Sequence, residues 1–235
     1  MVHEIEVLCL SAAAIGLVHT LLGPDHYLPF IMLSRAQGWS LAKTVRVTLL
    51  CGAGHVASSV LLGCVGAAAG LAITRLEAIE TIRGGLAAWV LAGFGFAYML
   101  WGIRAAYRNR PHTHWHAHEA GAVHTHEHVH DPAHAHVHGN VSRVTPWVLF
   151  TVFILGPCEP LIPLLMYPAA QHSVWGVACV TAVFGLVTLA AMTAAVLVAL
   201  RGASLVRLGA LERYTHALAG ATLCAAGLSM RFLGL

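Results

Sequence analysis

The sequence predicts an all-α membrane protein of six transmembrane helices, built as two inverted three-helix repeats with a broken first helix in each. Three observations carry that reading: a composition foreign to water-soluble domains, six apolar stretches of membrane-crossing length, and a motif pattern that recurs half a chain later. Of 235 residues, 58% are hydrophobic and 10% charged, with 23 glycines and a mean hydropathy of +0.74. Soluble domains carry roughly 25% charge, so a water-soluble globule is excluded. Hydrocarbon admits only backbones that pair internally, and the two-residue alternation of a barrel is missing, which leaves helices. The formal net charge of +3 is too small and too dispersed for a nucleic-acid footprint.

At the ~20 residues needed to cross hydrocarbon, spans are predicted at Ile5–Leu22, Val45–Ile73, Leu86–Ile103, Val144–Met166, Val174–Leu200 and Leu208–Leu235. The first is expected to be retained, because Met1 to Glu6 carries two Glu and no Lys or Arg, and no small-residue cleavage site follows. Ten basic residues (Arg35, Lys43, Arg46, Arg104, Arg108, Arg110, Arg143, Arg201, Arg207 and Arg213) flank the first, third and fifth loops, while Arg75, Arg83 and Arg231 lie opposite. The positive-inside rule then puts those three loops in the cytoplasm and both termini outside. The division expected is a first repeat over 1–103, a cytoplasmic loop over 104–142 and a second repeat over 143–235. All six cysteines fall inside apolar segments, unlike the disulfide frameworks of small secreted domains.

The repeat has an offset of about 132 residues. Leu22-Gly23-Pro24 recurs as Leu155-Gly156-Pro157, Gly52 as Gly185, Ile79-Glu80 as Leu211-Glu212, and Gly95 and Gly102 as Gly227 and Gly234. Three spans per unit make the second copy enter the membrane from the other side, as in many secondary transporters. In both units the first span is interrupted, at Gly23-Pro24-Asp25-His26-Tyr27-Leu28-Pro29 and at Gly156-Pro157-Cys158-Glu159-Pro160-Leu161-Ile162-Pro163. Proline removes a donor and clashes with the preceding turn, so the helix kinks or unwinds there. The breaks either merely bend packed helices or face each other across a central site.

Ionisable side chains favour the second option. His19, Asp25, His26, His55, Cys158 and Glu159 all sit at or near the breaks. Insertion of a charged side chain costs about 2.5–3.5 kcal/mol, which makes such groups functional by default. Imidazole, carboxylate and thiolate together suit nickel, cobalt or zinc rather than magnesium or calcium. On an unbroken helix His19 and His26 would stand about 10.5 Å apart, too far for one ion. The break either shortens that gap or makes them successive stations. His55 by itself reads equally well as a satisfied core histidine.

His19-Thr20-Leu21-Leu22-Gly23-Pro24-Asp25-His26, followed by Gly156-Pro157-Cys158-Glu159-Pro160, resembles the NicO and UreH-like nickel/cobalt transporters, within a larger set that also holds the transmembrane thiol carriers. The resemblance implies transport of nickel or cobalt across a bacterial cytoplasmic membrane, with His19, Asp25 and His26 in metal selection. Here five residues separate His19 from Asp25, one more than in the related nickel permeases.

Between the halves, eleven histidines (His112, His114, His116, His118, His124, His126, His128, His130, His134, His136 and His138) alternate within 27 residues. With Pro111, Pro132, Gly121, Gly139 and Asn140 the tract reads as flexible. Neutral imidazoles spaced this way bind divalent transition metals loosely.

The leading expectation is therefore a non-enzymatic secondary transporter with no permanent cofactor. Ni2+ or Co2+ is its substrate and Zn2+ a further candidate, with proton exchange at Asp25 and Glu159. A chelating tract at an inward mouth tilts the expected direction toward export. The bilayer, a cytoplasmic metallochaperone and a second copy of the chain are the expected partners, and no phosphate-binding loop offers ATP as the driver. The rival readings are a thiol-disulfide electron carrier, for which Cys158 faces Asp25 rather than a second cysteine at the matching break, and a metal-sensing scaffold. Trp39, Trp101, Trp115, Trp147 and Trp175 are read as interfacial anchors, Glu80 and Glu212 as solvated or paired with Arg83 or Arg213, and His3, His172 and His216 as surface or loop residues.

Overall fold

A computed structural model gives the structure of the protein and describes residues 2–108, 112–117, 123–128, 141–156, 158, 160–171, 173–204 and 213–233. The chain runs α1 (Val2–Leu22), one turn of 3-10 helix (Pro24–His26), α2 (Leu28–Ala36), α3 (Leu41–Ala68) and α4 (Ile73–Arg108). A ribbon of β1 (His112–Ala117) and β2 (Val123–His128) follows, then α5 (Val141–Leu155), α6 (Leu161–Ala170), α7 (Val174–Ser204) and α8 (Thr215–Leu233).

This is a helical, multi-pass membrane protein, but its helices do not coincide with six uniform spans. Among the described residues, four are long and apolar enough to cross a membrane: His3–Leu22, Leu41–Ala68, Ile73–Arg108 and Val174–Gly202. The expected span Val144–Met166 is instead two short helices, because Gly156 ends α5 and the chain restarts as α6 only after Pro160. The span expected at Leu86–Ile103 extends to 36 residues. Its charged extension, with Arg75, Glu77, Glu80 and Arg83, hides the helix from a hydropathy scan. α4 also continues past the expected boundary at 103, and α8 runs over Thr215–Leu233, the expected start of the last span at Leu208 lying outside the described residues.

Lipid tails are as apolar as leucine, so association inside a bilayer rests on close packing of small residues rather than on water release. The seam between α4 and α8 shows it. A Cβ added at Gly95 would meet the backbone of Cys224 and Gly220, and one at Gly220 would meet Met99 and Gly95. Gly102 faces Ala217, and Gly227 faces Ala92 and Ala88, in the same way. Around this pair, α1 packs on α7 and α3 on α5, α6 and α7. Two apolar clusters result. One gathers Phe30, Leu33, Leu91, Leu149, Phe153, Met192 and Leu223, and the other Ala12, Val56, Cys158, Leu161, Val180 and Phe184. Outward-facing side chains such as Leu10, Trp147, Val174 and Trp175 are largely exposed, as a lipid-covered surface requires. Trp39 departs from the anchoring role expected of it: it is buried, and its indole donates to Gln37 Oε1 at 3.0 Å. His216, expected at the surface or in a loop, is half-buried on α8, its Nδ1 2.8 Å from the Tyr98 hydroxyl.

Part of the histidine tract forms a two-stranded antiparallel ribbon, with His112 opposite His128 and Ala117 opposite Val123. This corrects the expectation of a wholly flexible tract. The alternate-residue spacing that spreads the histidines is itself the period of a β-strand, and Thr113, Thr125 and Val123 add β-branched residues. His118, His130, His134, His136 and His138 lie outside the described residues.

Candidate functional site

The first break is made by backbone chemistry. Gly23 closes the last turn of α1 by donating its N–H to His19 O (3.0 Å) and then turns extended, at φ −89° and ψ 93°. Pro24 starts the 3-10 turn, where its missing N–H costs nothing. His26 and Asp25 fold back over Gly23. A Cβ there would lie 2.6 Å from His26 Nδ1 and 2.9 Å from Asp25 Oδ1, so a side chain at this position would displace both groups. Pro29 then sits in the first turn of α2.

The second break follows from Pro157, which has no N–H to give the carbonyl four residues back. Phe153 O is thus an orphan at the end of α5, and His55 Nδ1 on α3 takes it at 3.2 Å. Its neighbour Ile154 O accepts from Arg83 Nη2 at 2.6 Å. The same guanidinium donates to Glu80 Oε1 (2.7 Å) and Ser58 Oγ (2.9 Å), tying α3, α4 and the end of α5 together. Glu80 is 0% exposed, so its role is the ion pair and not solvation. The sequence offered one signal for this clamp, an acid and an arginine three residues apart on an otherwise apolar helix.

Three histidines converge between the breaks. The His19 and His26 ring centroids are 4.8 Å apart and those of His26 and His55 5.3 Å, each pair edge to face. Potential ligand nitrogens of all three lie within 4.8 Å of one another. Tautomers follow from the partners. A carbonyl only accepts, so the neutral His55 ring carries its proton on Nδ1, toward Phe153 O. His26 Nδ1 is held the same way, 3.2 Å from Gly23 O and 3.2 Å from Asp25 Oδ1. His26 and His55 are each left with an Nε2 lone pair, and the Nε2 atoms of His19, His26 and His55 are all buried without a hydrogen-bond partner. Buried polar atoms are rarely orphaned, and a metal-binding histidine ordinarily donates its other nitrogen to a carbonyl or carboxylate. A tetrahedral ion needs its nitrogens about 3.3 Å apart, so small rotations of the rings would complete such a site. A space of about 20 Å³ is bounded by Asp25, His26, His55, Phe153 and Gly156, and a larger cavity of about 830 Å³ is lined by His19, Asp25 and His26.

The six break residues do not form one ligand set. His19, His26 and His55 come together, while Asp25 supports His26 through its Oδ1. Cys158 is 0% exposed in the second apolar cluster, under the electrostatic influence of Glu80 and Arg83. It diverges because α5 ends with Gly156 turned toward His55, 3.5 Å from its Nδ1 to a Cβ built there. Glu159 lies outside the described residues. All six cysteines are free thiols.

Compared with models of known families, residues 28–229 match the one described as the cytochrome c biogenesis protein transmembrane region. No curated protein and no solved structure matches the chain. The family match overturns the resemblance to nickel/cobalt transporters, and with it the reading of the chain as a secondary transporter of those ions. Glycine and proline at a broken helix describe a backbone geometry and not a transported ion.

Proposed function

Because the chain belongs to the family of cytochrome c biogenesis protein transmembrane regions, we propose that it is a membrane-embedded carrier of thiol-disulfide exchange, with Cys158 as its exchanging sulfur. Its working frame is six passes through a bacterial cytoplasmic membrane, as two inverted units with both ends outside and the histidine tract inside. The order in each half, helix, break, short helix and two further helices, supports that frame.

The observation that carries the reading is the position of Cys158, fully buried at an interruption of a membrane helix, where the backbone can rearrange without melting a regular ladder. The first break holds Asp25 at the matching place, so the second sulfur comes from elsewhere. Cys9 on α1 packs against the same apolar cluster as Cys158, whereas Cys51 belongs to the other cluster. In the exchange, the two thiols pass two electrons and two protons to a substrate disulfide, which leaves as two thiols while Cys9 and Cys158 join. A dithiol donor at the other face restores them by the reverse step. Trapping in reconstituted vesicles during turnover, followed by peptide mapping, is expected to recover a Cys9–Cys158 disulfide. Recovery of Cys158 only as a free thiol throughout turnover would remove the basis of this reading.

The orphaned Nε2 atoms favour a second function of the same core, the binding of a divalent transition metal by His19, His26 and His55. An ion held there would bridge the two breaks, since His19 and His26 flank the first and His55 is bonded to the end of α5 at the second. Purified protein is expected to bind one Co2+ at this centre with a tetrahedral visible spectrum. His55→Ala should lower the affinity by more than about a hundredfold, and Asp25→Asn, which touches only the supporting bond, by about ten- to a hundredfold. Equal binding by wild type and His55→Ala would eliminate the centre.

A further inference from the structure

We infer that Met230 is a sulfur ligand of the three-histidine centre and tunes that centre to Cu(I). The inference rests on the reading of His19, His26 and His55 as a metal site, and it names the ion that site prefers. Met230 lines the space of about 20 Å³ beside His26 and His55, and it also lines the cavity of about 830 Å³ that His19 and His26 share. It therefore stands against both spaces, as His26 does. Among the described residues lining the two, Met230 is the one that carries sulfur.

Backbone contact holds α8 in this position. Gly227, one turn before Met230, lies against Ala92 and Ala88 of α4, and a side chain at that glycine would push the helices apart. Residues three apart on a helix share a face, so the seam that seats Gly227 also brings Met230 toward α4. Leu91, the neighbour of Ala92, lines the same small space. Methionine is unbranched and its thioether is polarizable, so it adapts to an irregular gap where a branched side chain does not. The sulfur expected in the ligand set, that of Cys158, is packed into the other apolar cluster. Imidazoles alone suit zinc, copper and nickel alike, whereas an added thioether is a soft donor that selects Cu(I). Cu(I) binds there without electron transfer, so the step needs no oxidant or reductant.

The test titrates Cu(I) and Co2+ separately into the full-length protein, Cu(I) in competition with a strong chromophoric chelator. Met230→Leu is expected to weaken Cu(I) binding at least about tenfold, the loss that even supporting partners of a metal site cause, and to change Co2+ affinity less than about twofold. X-ray absorption of the Cu(I)-loaded protein should show a sulfur neighbour that Met230→Leu removes and that Met32→Leu, on α2, retains. Equal losses of both metals would mean that Met230 only packs. Unchanged Cu(I) affinity, or a sulfur neighbour that survives Met230→Leu, would also overturn the assignment. His55→Ala keeps the two readings apart: it should weaken both metals, and if it weakens neither, the histidine centre itself falls and this assignment with it.

Discussion

Cys158→Ser is expected to lower electron transfer between a dithiol donor and a disulfide acceptor across reconstituted vesicles by more than about a thousandfold, the scale of losing a nucleophile. A serine oxygen cannot form the mixed disulfide through which exchange runs. The side chain is buried among Ala12, Val56, Leu161, Val180 and Phe184. A hydroxyl placed there lacks an assured partner, and about 1–3 kcal/mol of stability accompanies the chemical loss. Cys158→Ala separates the two effects, since it leaves no polar group to satisfy and should fold normally while remaining inactive. Cys9→Ser is expected to match it in rate, because either sulfur alone cannot complete the two-electron step. Cys51→Ser, in the other apolar cluster, should retain most of the wild-type transfer. Substantial transfer by Cys158→Ala, in protein shown to be folded, would refute the role assigned to this sulfur.

Arg83→Met is expected to destabilise the folded protein by about 3–5 kcal/mol, the cost of stripping one partner from a buried ion pair. Its guanidinium serves Glu80, Ser58 and the Ile154 carbonyl at 2.7, 2.9 and 2.6 Å, so one truncation disturbs α3, α4 and α5 together. Glu80→Gln combined with Arg83→Met should recover a large part of the loss, because the buried charge goes with its partner. Unfolding in mixed micelles measures the cycle. A single-variant effect under about 1 kcal/mol, or strict additivity in the double variant, would show that the pair is held by packing and not by charge. The break also predicts where damage appears first. Without Arg83, Ile154 O loses its donor, and the end of α5 beside Cys158 should become the earliest segment to exchange its amide hydrogens.

How much of this was legible in advance differs from residue to residue. The interruptions at Gly23-Pro24 and Gly156-Pro157 were readable outright, because proline's missing donor and glycine's freedom act through the local chain alone. The concentration of His19, Asp25, His26 and His55 near them was readable too. Which of these meet was not. On a straight helix His19 and His26 lie far apart, yet the 3-10 turn over Pro24–His26 brings their rings to 4.8 Å, and His55 arrives from a helix whose placement no local pattern specifies. Reading the same short motifs as a signature of nickel and cobalt transport failed for a related reason. They specify how a helix stops, and the match over residues 28–229 draws on the whole pattern of spans.

By itself, then, the sequence determined that the chain lives in a membrane, where it breaks, and which donors stand near the breaks, since composition and proline chemistry are properties of the chain and its solvent. Tertiary structure alone decided that three imidazoles with buried, unpartnered Nε2 atoms come together, that Asp25 supports one of them, and that Cys158 faces a separate apolar cluster. It also decided that Arg83 caps the end of α5. Those outcomes depend on how α3 and α4 lie against the two breaks. That placement is set by glycine seams and orphaned carbonyls meeting across long stretches of sequence, and no local period encodes it.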